Sequence, residues 1–228
     1  MMPEVQDVFR KYQPSKLSPS QYKAVQAIMD CRTDAFGSHV DRCIHCGNTE
    51  HSFNSCRNRH CPKCQSSKQT EWIESQLEKL LPVSYYHMVF TLPDKLNTLV
   101  YQNQRVMYAL LMKSAAKTIT ELAADPKYLE AQIGVTAVLH TWGQNLSFHP
   151  HVHCIVPAGG LSLDGLRLIQ SKKKILIHVN KLSSEFKRRF LLQLKTAWKK
   201  GYLNYYDGAQ DLSYDLHFRN FCDSLRAI

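Results

Sequence analysis

The 228-residue sequence has no apolar run approaching the 18 or so residues that a membrane-spanning helix needs. Its opening stretch, MMPEVQDVFRKYQ, carries acids and lacks an apolar core, so it does not read as a secretory signal. The expected location is cytoplasmic, with no membrane partner. Internal repeats and low-complexity tracts are also missing. Acidic residues are scarce, 19 against 29 Lys and Arg, for a net charge of +10. The shortage is local: residues 167–200 hold 11 bases and a single acid, Glu185. Such a stretch favours a polyanion, usually nucleic acid, through counterion release. Hydrophobic residues make up 44% of the chain, enough to bury a core and to argue against wholesale disorder.

Eight cysteines are present, and six of them fall between Cys31 and Cys64. In a reducing compartment such clustering points to metal rather than disulfides. Two Cys-x2-Cys pairs, Cys43/Cys46 and Cys61/Cys64, are 14 residues apart. Each turn presents two thiolates to one tetrahedral ion, so together they suggest a closed zinc site. Cys31, His39, Cys56 and His60 remain as a second set of four, with His45 or His51 as replacements for His39. Residues 31–65 are too polar to build a core, so bound metal must supply their folding free energy. Arg57, Arg59 and Lys63 lie among these ligands and suit phosphate contact.

The flanking segments carry helical punctuation. Ser18-Pro19-Ser20-Gln21 forms an N-cap with proline at the first helical position. Ser66 with Gln69 suggests another capping box, ahead of Trp72, Ile73, Leu77 and Leu80 on one helix face and a stop at Pro82. Beyond Pro82 the periodicity predicts a strand at Tyr85–Thr91, a long helix over 95–123, strands at Ile133–Trp142 and His151–Val156, and a strand at Lys174–Val179. A helix capped by Asn180 then runs to Lys200, with Gly201 as its stop. This order predicts a helix-backed antiparallel α+β sheet. The domain boundary is expected between residues 82 and 83.

His151-Val152-His153 lies on a predicted strand, where alternate side chains share a face. Two imidazoles pointing the same way, with a third donor, make a divalent-metal site that polarises a phosphate oxygen. Gln144, His87 and His140 are all candidates for the third ligand. Acids are again lacking: Asp164 is the nearest carboxylate in sequence, so a water-using phosphoesterase built on His149, His151 and His153 is poorly supported.

Four motifs occur in order: CRNRHCPKC (Cys56–Cys64), VFTLP (Val89–Pro93), TAVLHTWG (Thr136–Gly143) and HPHVHCIVPAGG (His149–Gly160). They resemble the insertion sequence 91 family of rolling-circle transposases, and His151-Val152-His153 resembles the His-hydrophobic-His signature of HUH endonucleases. The resemblance implies a zinc-binding DNA-binding domain over residues 1–82 and a partial HUH nuclease-type domain, ferredoxin-like, over 83–228. It implies structural Zn2+, one or two ions, and Mg2+ or Mn2+ at His151 and His153. The implied partner is single-stranded DNA at transposon ends. The implied reaction is attack of a tyrosine hydroxyl on a phosphodiester, giving a 5′-phosphotyrosine and a free 3′-OH. The family's Tyr-Leu-x-Arg-Tyr-Thr-like nucleophile motif does not occur, and the surroundings of Tyr202, Tyr205, Tyr206 and Tyr214 do not match it. The expectation is a chain that stops short of that motif, with a non-catalytic regulator of transposon ends as the alternative. The expected DNA surface comprises Arg57, Arg59 and Lys63 together with Lys172, Lys173, Lys174, Lys187, Arg188 and Lys195.

Overall fold

Local punctuation starts the chain's first helices. The computed structural model describes residues 4–12, 15–171 and 176–226. Helix α1 spans Val5–Lys11 and α2 spans Pro19–Met29. The Ser18 hydroxyl accepts the Gln21 amide, and the Gln21 side chain returns to the Ser18 amide, so the expected capping box is formed. Strands β1 (Ser38–Arg42) and β2 (Thr49–Phe53) pair as an antiparallel hairpin, with His39 opposite Ser52 and Arg42 opposite Thr49. Helix α3 (Pro62–Leu77) begins earlier than the sequence suggests. Its N-cap is Cys61, with Pro62 at the first helical position, while the Ser66 hydroxyl bonds the Lys63 carbonyl inside the helix. Proline's fixed φ starts the turn four residues before the capping box anticipated at Ser66. These elements form one compact unit, residues 1–80; residues 81–228 form a second.

In the second unit, β3 spans Tyr85–Thr91 as expected. The long helix predicted over 95–123 is instead two: α4 (Asn97–Gln102) and α5 (Gln104–Ala124). The break is Asn103, at φ −126° and ψ 38°. Its buried side chain donates to the Leu99 and Asn204 carbonyls and accepts the Asn204 amide. An Asn that satisfies backbone groups elsewhere competes with the helix at its own position. The strand read over 133–142 is shortened to β5 (Thr136–Trp142), and a separate short strand, β4 (Ala131–Gln132), precedes it. Strands β6 (Phe148–Pro157), β7 (Gly159–Ser162) and β8 (Leu168–Gln170) follow. The connection from β5 to β6 is a hairpin in which the Asn145 side chain accepts the Ser147 amide.

Residues 172–175 are outside the described residues, and with them the first two residues of the strand expected at Lys174–Val179. Its last residues are not strand: Val179 already opens α6, which runs to Lys199. The N-cap is His178 rather than Asn180, the imidazole accepting the Asn180 amide. Gly201 ends α6 as predicted, at φ +68° with its amide on the Trp198 carbonyl. Helix α7 (Asp215–Arg226) lies where the sequence analysis assigned no element.

Among the described residues of this unit, two three-stranded antiparallel sheets result, ordered β3-β6-β5 and β4-β7-β8. In the second, a Cβ on Gly160 would stand 2.2 Å from the Gln132 carbonyl oxygen, so only glycine permits the pairing. The first sheet is backed by helices on one face. Phe90, Val152, Cys154 and Val156 are buried there in one cluster with Met107, Leu111 and Ile119 of α5 and with Leu182, Phe186, Phe190 and Leu194 of α6. Trp198, near the end of α6, stacks on Phe218 of α7 and donates its indole N–H to the Leu212 carbonyl. The α+β, helix-backed antiparallel architecture is therefore the observed one.

Candidate functional site

The cysteine-rich segment assembles four thiols, but not the four that spacing alone pairs. Cys31, Cys56, Cys61 and Cys64 bring their sulfurs within 4.8 Å of one another. Cys31 and Cys56 lie 3.5 and 3.6 Å from the Cys64 sulfur. A tetrahedral zinc with bonds of about 2.3 Å holds its sulfurs about 3.8 Å apart. The hairpin explains the regrouping. Its base is closed by the Arg32 amide on the Asn54 carbonyl and by the Asn54 amide on the Gly37 carbonyl. Cys56 therefore returns beside Cys31, and α3 presents Cys61 and Cys64 from its first turn. Cys43 and Cys46 lie at the other end, in the turn where the Cys43 amide bonds the Asn48 carbonyl. Five-residue strands put that tip about 16 Å from the base. Cys43 and Cys46 thus do not join Cys61 and Cys64, and Cys31 and Cys56 do not join the two histidines. His39 is exposed, 3.6 Å from Asp41, and His60 accepts a bond from the Arg59 side chain.

The cluster has the electrostatics of a thiolate site. The backbone amides of Cys56 and Asn58 point at the Cys31 and Cys56 sulfurs. Burial opposes ionisation of Cys64, yet bonds from Cys31, Cys56 and Cys61 bring its thiol down to about 7. Burial pushes Cys56 up to about 12. One thiolate in a nest of thiol donors is a seed for metal, which then displaces the remaining protons. At the tip, Cys43 is lowered by the backbone amides of Cys46 and His45.

In the second unit the sheet pleat builds a histidine face. Val152 and Cys154 point into the core, so His151 and His153 point out. β6 lies between β3 and β5, with Val89 opposite His153, and His140 opposite His151. That register selects among the three candidate third ligands: His140, His151 and His153 hold their ring nitrogens within 4.8 Å of one another. Ring centroids are 5.3 Å apart for His140/His151, 4.3 Å for His140/His153 and 4.9 Å for His151/His153. Trp142 stacks on His140 at 9° between ring planes. The His151 Nδ1 is 2.7 Å from the His149 carbonyl, which can only accept, so Nδ1 carries the proton and Nε2 is the free donor atom. Burial, then the neighbouring His140, His151 and His87, lower the His153 pKa and favour its neutral, ligating form. His149 is turned elsewhere, 3.8 Å from Asp94. That carboxylate comes from the segment after β3, and sequence proximity did not reveal it.

The basic residues occupy different settings. Lys187 and Lys195 line a groove of about 540 Å³ with Arg188, Arg226, Leu191 and Leu192. Arg188 is bound by both oxygens of Glu185, and Lys187 donates to the Arg226 carbonyl. Arg226 went unnoticed in the sequence because α7 did. Arg57 and Arg59 are exposed, whereas Lys63 is paired with Glu4 at 2.6 Å. Lys172, Lys173 and Lys174 lie outside the described residues.

Residues 3–92 match the transposase zinc-binding domain of the insertion sequence 91 type, and residues 134–226 match a second family described as "Putative transposase". Over 230 aligned residues the chain is 44% identical to the "Putative transposase y4qJ" of Sinorhizobium fredii, covering 98% of this chain and 58% of that one. It belongs to the insertion sequence 91 family of transposases. The transposase for insertion sequence element IS801 of Pseudomonas savastanoi pv. phaseolicola is 34% identical over 148 residues, 64% of this chain and 35% of that protein. This transposase-family chain thus spans little more than half the length of the first of these relatives. Among solved structures, the metal-bound conjugative relaxase TrwC with oriT DNA overlaps 48% of the chain and 42% of its own at a TM-score of 0.39 and 13% identity. Its copper-bound form overlaps 54% and 45% at a TM-score of 0.40 and 16% identity. Among the described residues, no helix is long and apolar enough to cross a membrane.

Proposed function

We propose that this transposase-family chain is the zinc-binding and metal-binding part of an HUH-type enzyme that nicks and rejoins single-stranded DNA at transposon ends, in the cytoplasm. The observation that carries the reading is the convergence of His140, His151 and His153 on one open sheet face. Three imidazole nitrogens suit a first-row divalent ion and, of the two ions expected, favour Mn2+ over Mg2+. When bound, that ion supplies Lewis-acid polarisation of a scissile phosphate. The histidines orient the site and, unlike carboxylates, add no negative charge that would repel a phosphate. Zn2+ belongs to Cys31, Cys56, Cys61 and Cys64, as the fold-holding ion of a DNA-binding domain spanning residues 1–82. Residues 83–228 form the nuclease-type domain, with DNA tracked by the basic groove of Lys187, Lys195 and Arg226 and, in the first domain, by Arg57 and Arg59.

The attacking hydroxyl in this reading is a tyrosine. Tyr202, Tyr206 and Tyr214 are exposed and burial pushes Tyr205 up to about 12, but none of the four stands in surroundings that match the family's nucleophile motif. Incubating the chain with a labelled single-stranded transposon end and Mn2+ tests the proposal. A covalent protein–DNA adduct is expected from a chain that holds its nucleophile. Binding without any adduct selects the non-catalytic regulator, and free cleaved products select a water nucleophile.

A further inference from the structure

We infer that His87 is a positioning residue that sets the tautomer of His153 and thereby aims its Nε2 at the metal; this rests on the metal reading of the histidine face. His87 stands on β3, two residues before Val89, the partner of His153. It is thus diagonal to His153 on the same face. Its Nε2 is 2.7 Å from the His153 Nδ1. The rings are 14° from coplanar with centroids 5.0 Å apart, the arrangement of two imidazoles meeting end to end through their nitrogens rather than face to face.

One proton lies between those nitrogens, and its owner matters. If His153 carries it on Nδ1, His87 accepts, and the His153 Nε2 keeps a lone pair for the metal. If His87 carries it, the neutral His153 holds its own proton on Nε2 and cannot ligate there. His151 has no such choice, because its acceptor is the His149 carbonyl. The pair of histidines is therefore locked by two different acceptors, one fixed by the backbone and one supplied by His87. Metal-bound histidines are generally oriented by such a second hydrogen bond, and its loss weakens metal binding 10- to 100-fold. With Nε2 engaged by His153, His87 is not itself a ligand. Its side chain is exposed, so removing it leaves the core untouched.

Long-range proton–nitrogen NMR of the metal-free full chain reads the tautomer directly, and Mn2+ titration reads the consequence. The expected result is His153 protonated at Nδ1 in the wild type, mixed tautomers in His87→Ala with Mn2+ affinity lowered about 10- to 100-fold, and recovery of both in His87→Gln, whose amide oxygen accepts the same bond. Zinc content and circular dichroism should not change. His153 protonated at Nε2 in the wild type, or His87→Ala leaving tautomer and affinity unchanged, would overturn the inference. His87→Gln binding as weakly as His87→Ala would make His87 a ligand and overturn it too. Wild-type chain that shows the Nδ1 tautomer but binds no Mn2+ would remove the metal reading alone and leave the positioning assignment standing.

Discussion

At the residue scale, the proposed metal reading of the histidine face rests on a few side chains whose roles can be tested separately. His151→Ala with His153→Ala should abolish Mn2+ binding while leaving zinc content and the far-ultraviolet spectrum unchanged, because both rings point away from the core that Val152, Cys154 and Val156 fill. Retained Mn2+ binding in that variant would put the metal elsewhere. His140→Ala should weaken binding without abolishing it, since two of three imidazoles remain. Gln144→Ala should leave it unchanged. The two motif histidines were legible from strand alternation alone. His140 was one of three sequence candidates, and only the β5–β6 register, which sets it opposite His151, distinguishes it. Asp94, beside His149, was hidden because its 55-residue separation in sequence disappears only when β3 pairs with β6.

At the element scale, the zinc segment depends on the hairpin that folds it. Cys31→Ser or Cys61→Ser should release zinc and unfold residues 31–65, whose polar composition offers no alternative core. Cys43→Ser with Cys46→Ser should keep the zinc held by the four clustered thiols. Elemental analysis with circular dichroism distinguishes this from the pairing that spacing suggests, in which Cys61→Ser and the Cys43→Ser, Cys46→Ser variant would lose the same ion. The break at Asn103 is a second element-scale device. Asn103→Ala leaves the Asn204 amide and carbonyl unpaired and should cost roughly 1–3 kcal/mol by denaturant unfolding. A third is the ion-pair cluster joining α5 and α6: Arg189 bridges Glu121 and Glu185, and Arg188 also holds Glu185. Hydrogen bonds from Arg188, against burial and with the charge of Arg189, hold the Glu185 carboxyl below the usual glutamate range. A depressed folded pKa contributes stability above the unfolded value that is lost as pH falls through the folded one. Glu185→Gln should therefore lower stability at neutral pH, where the contribution is complete, change it little in strong acid, and so flatten the acid limb of the stability–pH curve.

At the scale of the whole molecule, net charge becomes a prediction about DNA. Neutralising Lys187, Lys195 and Arg226 together should weaken binding to all single strands alike. At a log–log salt slope of roughly −0.7 per contact, losing three phosphate contacts should flatten the slope by about 2. Arg188→Gln should change it less, because Glu185 already occupies that guanidinium. An unchanged slope in the triple variant would confine the DNA surface to Arg57 and Arg59. Composition pointed to a polyanion as the expected partner class, and the four ordered motifs determined the family. Capping and alternation determined α2, β3 and the outward face of β6, because these signals are local and each is satisfied within a few residues. Tertiary structure decided which cysteines meet, where α4 ends and which histidine joins His151 and His153 on the sheet face. Those outcomes depend on hairpin closure, on Asn103 reaching Asn204 and on strand register, and each is fixed by contacts between residues far apart in the chain.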